Sequence, residues 1–194
     1  MKMNTTSLKK LNSYSKLIKG LWYIGIVLGI LIIISAVLFQ TGALKDHFGL
    51  NMDYLGISIK IDSSYLNNSM FLSLHLSLFI FWALFMYILY KIKSIIENTI
   101  KNQTPFVKEN INFLKHISFS FFVSAGLYIL LKVVLSVFVV SNNIFDKINQ
   151  IKGIEIEQVI SAPEWPLIIG FLILILAEIF KHGYKLQQDS ESII

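Results

Sequence analysis

The stretch 101–116, KNQTPFVKENINFLKH, decides the fold, because it is polar and carries Lys while two long apolar segments precede it and two follow it. Thr104 followed by Pro105 predicts a helix start, since a Thr hydroxyl caps an orphan N–H and Pro at the first helical position gives up a donor that would be unpaired anyway. That helix is expected to run through Phe113 into the third apolar segment. Because Lys91 to Ile100 continues the second apolar segment, the expected local shape is helix, tight turn, helix, lying at a membrane surface.

Composition supports a membrane chain. The 194 residues are 55% hydrophobic, the mean hydropathy is +0.65, and four long apolar runs exceed what a soluble domain carries. A single integral membrane domain over 1–194 is the natural count. There is no Cys, which removes disulfides, thiolate metal sites and a Cys nucleophile. The net charge of +5 comes from 17 Lys and no Arg, so bidentate phosphate clamps and an arginine finger are also absent. No HExxH, GxSxG or P-loop pattern occurs. The chain is therefore read as no enzyme, with no cofactor, no metal and no direct nucleic-acid partner.

Four spans are expected at about 21–39, 70–90, 117–140 and 162–180, with outer loops at 40–69 and 141–161 and a cytoplasmic hinge at 91–116. The basic residues before the first span suggest a short surface helix, while Gly25, Gly29 and Ala36 in that span permit close backbone approach by another helix. Trp22 and Tyr23 mark its inner boundary and Trp165 the outer boundary of the fourth. In the first outer loop Ile57, Ile59 and Ile61 alternate with Ser58 and Lys60. The second has a similar piece at Ile154, Ile156 and Gln158. Pairing of these pieces would give a small β-containing outer cap. The fold class is thus an all-α membrane protein, a four-transmembrane-helix bundle with N and C termini cytoplasmic.

Lys placement sets that orientation. Residues 1–20 hold five Lys, 91–116 hold five and the C-terminal tail two, against two in each outer loop. Cytoplasmic flanks carry such an excess.

Two short motifs carry a family resemblance. Gln103-Thr104-Pro105-Phe106 with Asn110 and Leu114-Lys115 follows the second span, and LAEIFKHG (Leu176 to Gly183) with Leu186-Gln187 and Ile193 closes the fourth. With four spans in under 200 residues, the chain resembles the bacterial membrane proteins of the domain-of-unknown-function 2975 family. Members usually carry Gly before the Pro-Phe pair, where this chain has Asn102 and Gln103. The resemblance implies a multi-pass protein of the bacterial cytoplasmic membrane, often encoded near a small helix-turn-helix transcription regulator, and it implies no activity.

Two sets of residues are candidates for function. The first is an intramembrane polar seam. Ser120, Ser124, Tyr128, Lys132 and Ser136 fall on one i, i+4 ridge, and a charged side chain within a span costs about 2.5–3.5 kcal/mol on insertion scales. His75, Glu164 and Glu178 are candidate partners of Lys132. The second is a cytoplasmic docking surface of Thr104, Pro105, Phe106, Phe113 and Leu186, more apolar than a connector requires. Phe106 and Phe113 are expected to meet the preceding segment or the tail at Leu186 and Ile193. The partners read from this are the lipid bilayer and a cytoplasmic transcription regulator, whose regulatory partner this chain would be. The alternative is a small transporter or an immunity protein against a membrane-active peptide.

The Lys asymmetry makes topology directly measurable. Reporter fusions at Gln103 and Asp189 are expected to be cytoplasmic and fusions at Asn51 and Gln150 external. A cytoplasmic signal at either external site would remove the four-span arrangement.

Overall fold

The computed structural model describes residues 4–41, 49–54, 57–62, 68–141, 157–158 and 164–192. Among them are four long helices: α1 (Thr5–Gln40), α2 (Asn68–Asn102), α3 (Lys108–Ser141) and α4 (Glu164–Ser192). All four are long and apolar enough to cross a membrane. Their polar backbone groups are satisfied within each helix, as hydrocarbon requires. By contacts the chain divides into a unit of residues 1–28, 81–124 and 164–194 and a unit of 29–80 and 125–163.

Helix length corrects one expectation, the separate surface helix before the first span, and agrees with another, the helix, tight turn, helix shape at 91–116. At 1.5 Å per residue, the 36 residues of α1 run about 54 Å and the 35 of α2 about 52 Å, against about 30 Å of hydrocarbon. Residues 5–20 are therefore the continuous beginning of α1 and no separate surface helix. Its start is held by Asn4, whose side-chain oxygen accepts from Thr6 N (3.4 Å) and whose carbonyl accepts from Leu8 N (3.1 Å). Likewise α2 continues unbroken to Asn102 and α3 begins at Lys108, so the hinge is the tip of a helical hairpin, with little more than a turn between its arms.

In the first unit α1 and α2 run antiparallel in close contact. Trp82 Nε1 donates to the Gly25 carbonyl at 2.7 Å, and a Cβ at Gly25 would collide with the Met86 sulfur. Ile18, Met86 and Leu89 are buried together, with Trp22, Trp82, Ile92 and Ile96 around them. The α3–α4 contact is built the same way. Ser118 Oγ donates to the Gly170 carbonyl at 2.7 Å, and a Cβ at Gly170 would lie 3.1 Å from the Phe122 ring and 3.2 Å from Phe121. Ala177 is buried. Small residues let these helices approach until dispersion replaces the hydrophobic effect as the source of cohesion. Large side chains such as Ile24, Val27, Phe119, Phe171 and Leu172 stay exposed, as a lipid-facing surface demands.

In the second unit Ser35 Oγ and His75 Nε2 lie 3.1 Å apart, joining α1 to α2. This unit also holds three strands, β1 (Gly49–Tyr54), β2 (Ile57–Asp62) and β3 (Glu157–Gln158). They form an antiparallel sheet in the order β1-β2-β3, with Tyr54 opposite Ile57, Ile57 opposite Gln158 and Ser58 opposite Glu157. The pairing is internal to the sheet, so a cap seated on the helices is not supported by it. Ile154 and Ile156 lie outside the described residues.

The glycine contacts separate two kinds of substitution. Gly170→Leu is expected to destabilise the detergent-solubilised protein by about 1–3 kcal/mol through overpacking. Gly126, whose Cβ would meet nothing within 4 Å, is expected to gain about 0.5–1 kcal/mol as Ala from helix propensity. Thermal unfolding of the two variants beside the parent checks both signs.

Candidate functional site

The turn between α2 and α3 is organised by one side chain that reaches back into it. Asn110, fully buried, donates from Nδ2 to Thr99 Oγ1 (3.1 Å) and to the Pro105 carbonyl (3.1 Å), while its Oδ1 accepts from Asn98 Nδ2 (3.2 Å). Thr99 passes its own proton to the Ile95 carbonyl at 2.7 Å, so each donor meets an acceptor. A buried amide left without such partners costs about 1–3 kcal/mol. This network fixes where α2 ends and where the chain re-enters α3.

Within the turn Gln103 has φ 54°, the left-handed region that suits Gly and strains a branched or bulky residue. Thr104 Oγ1 accepts from Phe106 N at 3.3 Å, Val107 N donates to the Pro105 carbonyl, and the first helical bonds run from Asn110 N and Ile111 N to the Val107 carbonyl. Thr104 and Pro105 therefore form the turn and do not start the helix. The expected helix start is displaced because the Asn110 amide claims the Pro105 carbonyl.

The end of α4 lies against this turn. Thr104 Oγ1 donates to Gln187 Oε1 at 3.2 Å. The Phe106 ring meets Phe180 edge-on at 5.4 Å between centroids, and it lies so close to Gly183 that a Cβ there would come within 2.6 Å of it. Phe106 thus does meet the tail, through Phe180 and Gly183. Leu186 is instead 70% exposed, and Ile193 lies outside the described residues. Phe113 is occupied by Lys91, whose Nζ stands 4.8 Å from its centroid, 5.1 Å from that of Tyr87 and 5.4 Å from that of Tyr90. One turn deeper, Glu178 binds Lys181 Nζ at 3.0 Å and approaches Lys115 Nζ at 4.0 Å, tying α4 to α3. Lys115 and Lys181 are thus the described ion-pair partners of Glu178.

The seam residues are distributed differently from the ridge drawn on the sequence. Ser120 and Ser124 donate to their own helix, at the His116 carbonyl (2.9 Å) and the Phe121 carbonyl (2.7 Å). His75 meets Ser35, and Tyr128 is partly buried. The side chains of Lys132 and Ser136 lie outside the described residues. Among the described residues no cluster of His, Asp or Glu has the makings of a metal site. Sequence reasoning missed Ser118 and Ser35 as interhelical groups and gave Asn110 and Gln187 no structural task. The signal for Asn110 was available, since an Asn between apolar Val107, Ile111 and Leu114 sits on the inner face.

A model of the family described as "Protein of unknown function (DUF2975)" matches residues 51–194. No curated protein and no solved structure matches the chain.

Two substitutions test the turn. Asn110→Ala is expected to cost roughly 2–3 kcal/mol, because Thr99, Asn98 and Pro105 lose a shared partner. Gln103→Gly is expected to stabilise by up to about 1 kcal/mol by removing the left-handed strain. Hydrogen exchange of the Gln103, Thr104, Phe106 and Val107 amides should accelerate in the first variant and slow in the second.

Proposed function

We propose, for a chain that belongs to the DUF2975 family, that it is a multi-pass protein of the bacterial cell membrane with its termini and hinge in the cytoplasm. In this reading the hinge and the end of α4 form a platform on which a cytoplasmic helix-turn-helix transcription regulator docks. The observation that carries it is the fastening of the 103–106 turn to α4 through Thr104–Gln187 and Phe106–Phe180. A plain connector has no need of a fixed shape at its tip, whereas a docking surface depends on one, because preorganisation removes the ordering cost of binding.

The docking set changes accordingly. Phe106 and Phe113 are used inside the chain, so substituting them tests the platform's integrity. Leu186 is the exposed apolar group of that set. Exposed Lys101, Lys108 and Lys185 share this end of the chain. Such an arrangement suits an apolar helix with acidic flanks, where burial supplies affinity and the charged rim supplies orientation. The transport or immunity reading draws little support from the seam, since the hydroxyls of Ser120 and Ser124 are spent on their own helix.

The reading is tested by co-expressing the tagged full chain with a small helix-turn-helix regulator encoded beside its gene, the absence of any such gene itself counting against the reading. Leu186→Ser is expected to lower the regulator's recovery about ten-fold or more, the scale of losing one buried Leu, with membrane insertion and thermal stability unchanged. Equal recovery by Leu186→Ser and the parent would remove the docking site.

A further inference from the structure

We infer that Lys91, with Lys16 and Lys19 of α1, forms a binding site for the phosphate headgroup of an anionic phospholipid. The inference does not depend on the docking platform.

The first support is the surroundings of the Lys91 amine. It is held near three rings, those of Tyr87, Tyr90 and Phe113. Among the described residues the ion pairs are Lys93 with Glu97, Lys115 with Glu178 and Lys181 with Glu178, and Lys91 takes part in none of them. Aromatic faces stabilise a cation and fix its position without neutralising it. Among the described residues no carboxylate pairs with this amine, which leaves it placed to meet an anionic headgroup.

The second support is register. Trp22 of α1 lies beside Tyr90 of α2, with ring centroids 6.4 Å apart. In these antiparallel helices Lys19, one turn before Trp22, therefore stands at the level just past Tyr90, where Lys91 lies. Lys16 is one turn further. Both are exposed and neither enters an ion pair among the described residues. Tyr87 and Tyr90 remain 39% and 48% exposed, so their rings face the lipid boundary.

The third support is depth. The apolar run of α2 ends at Tyr90, and Trp and Tyr collect where hydrocarbon gives way to headgroups. Amines immediately beyond such a belt meet phosphates, and a negatively charged headgroup gains from each of them. Lys108, at the start of α3 and on the order of 15 Å further out by helix rise, shares the sign but not the level.

The test uses the full chain in a neutral detergent, titrated with short-chain phosphatidylglycerol or phosphatidylcholine and read by native mass spectrometry. The parent is expected to bind phosphatidylglycerol in preference. Lys91→Gln should weaken that binding roughly five-fold and leave phosphatidylcholine unaffected, while Lys91→Arg should keep it. Phosphatidylglycerol binding unchanged in Lys91→Gln would overturn the site, and so would an equal loss in Lys108→Gln, which would mean diffuse attraction to surface charge. Inorganic phosphate competing as well as the lipid, mole for mole, would overturn the lipid as the ligand.

Discussion

The buried amide of Asn110 is the interaction on which the rest of the first unit depends. Two helices leaving a membrane side by side diverge unless something outside the hydrocarbon joins them, and α2 and α3 are joined within two turns of their ends. Asn110 does this with three hydrogen bonds, to Asn98, Thr99 and Pro105. In a low-dielectric setting a satisfied network of this kind specifies one arrangement, because any slip leaves several groups unpaired at once. With the turn fixed, Thr104 and Phe106 are presented to α4, and the α3–α4 register follows from the tip down to Ser118 and Gly170.

Much of this was legible in the sequence, and the reasons differ from element to element. Four apolar runs read as four helices because hydrocarbon permits a crossing chain little else. The ends were harder. Apolar content drops at Tyr90 and at Phe180, but helical propensity does not, so a span boundary and a helix boundary are different events in this chain. Lys93 and Glu97 even support the continuation of α2 with an i, i+4 pair. The tip of the hairpin was misread by a few residues for a related reason. Thr-Pro is a start signal only when nothing else competes for the Pro carbonyl, and the competitor, Asn110, is five residues downstream.

The candidate site was legible by its place and less so by its members. The ridge drawn through Ser120, Ser124 and Tyr128 follows spacing alone. The residues that α3 buries include Ile111, Leu114, Ser118 and Ala125, the alternating three-and-four spacing of a helix seam. Ser118 lies on that seam and crosses to Gly170, while Ser120 and Ser124 turn back to their own carbonyls. Chemical type does not separate these serines, since all three are small hydroxyls in an apolar run. What separates them is the partner helix: a glycine opposite Ser118 exposes a carbonyl at hydrogen-bonding distance, and the sequence of α3 contains no record of it.

Length joins the apolar part of each helix to its polar end. An element that stops at the interface and restarts beyond it can bend there, whereas α1, α2, α3 and α4 each pass through the aromatic and Lys level without a break. The same helices therefore carry the lipid-facing surface, the Lys91 level and the tip. Small-residue contacts at Gly25 and Gly170 leave little free volume for a helix to shift alone, and packed interiors deform poorly in small steps. A force applied at the tip is then borne by interhelical contacts within the span itself. That coupling requires no special relay residue, because continuous helices and close packing already supply it.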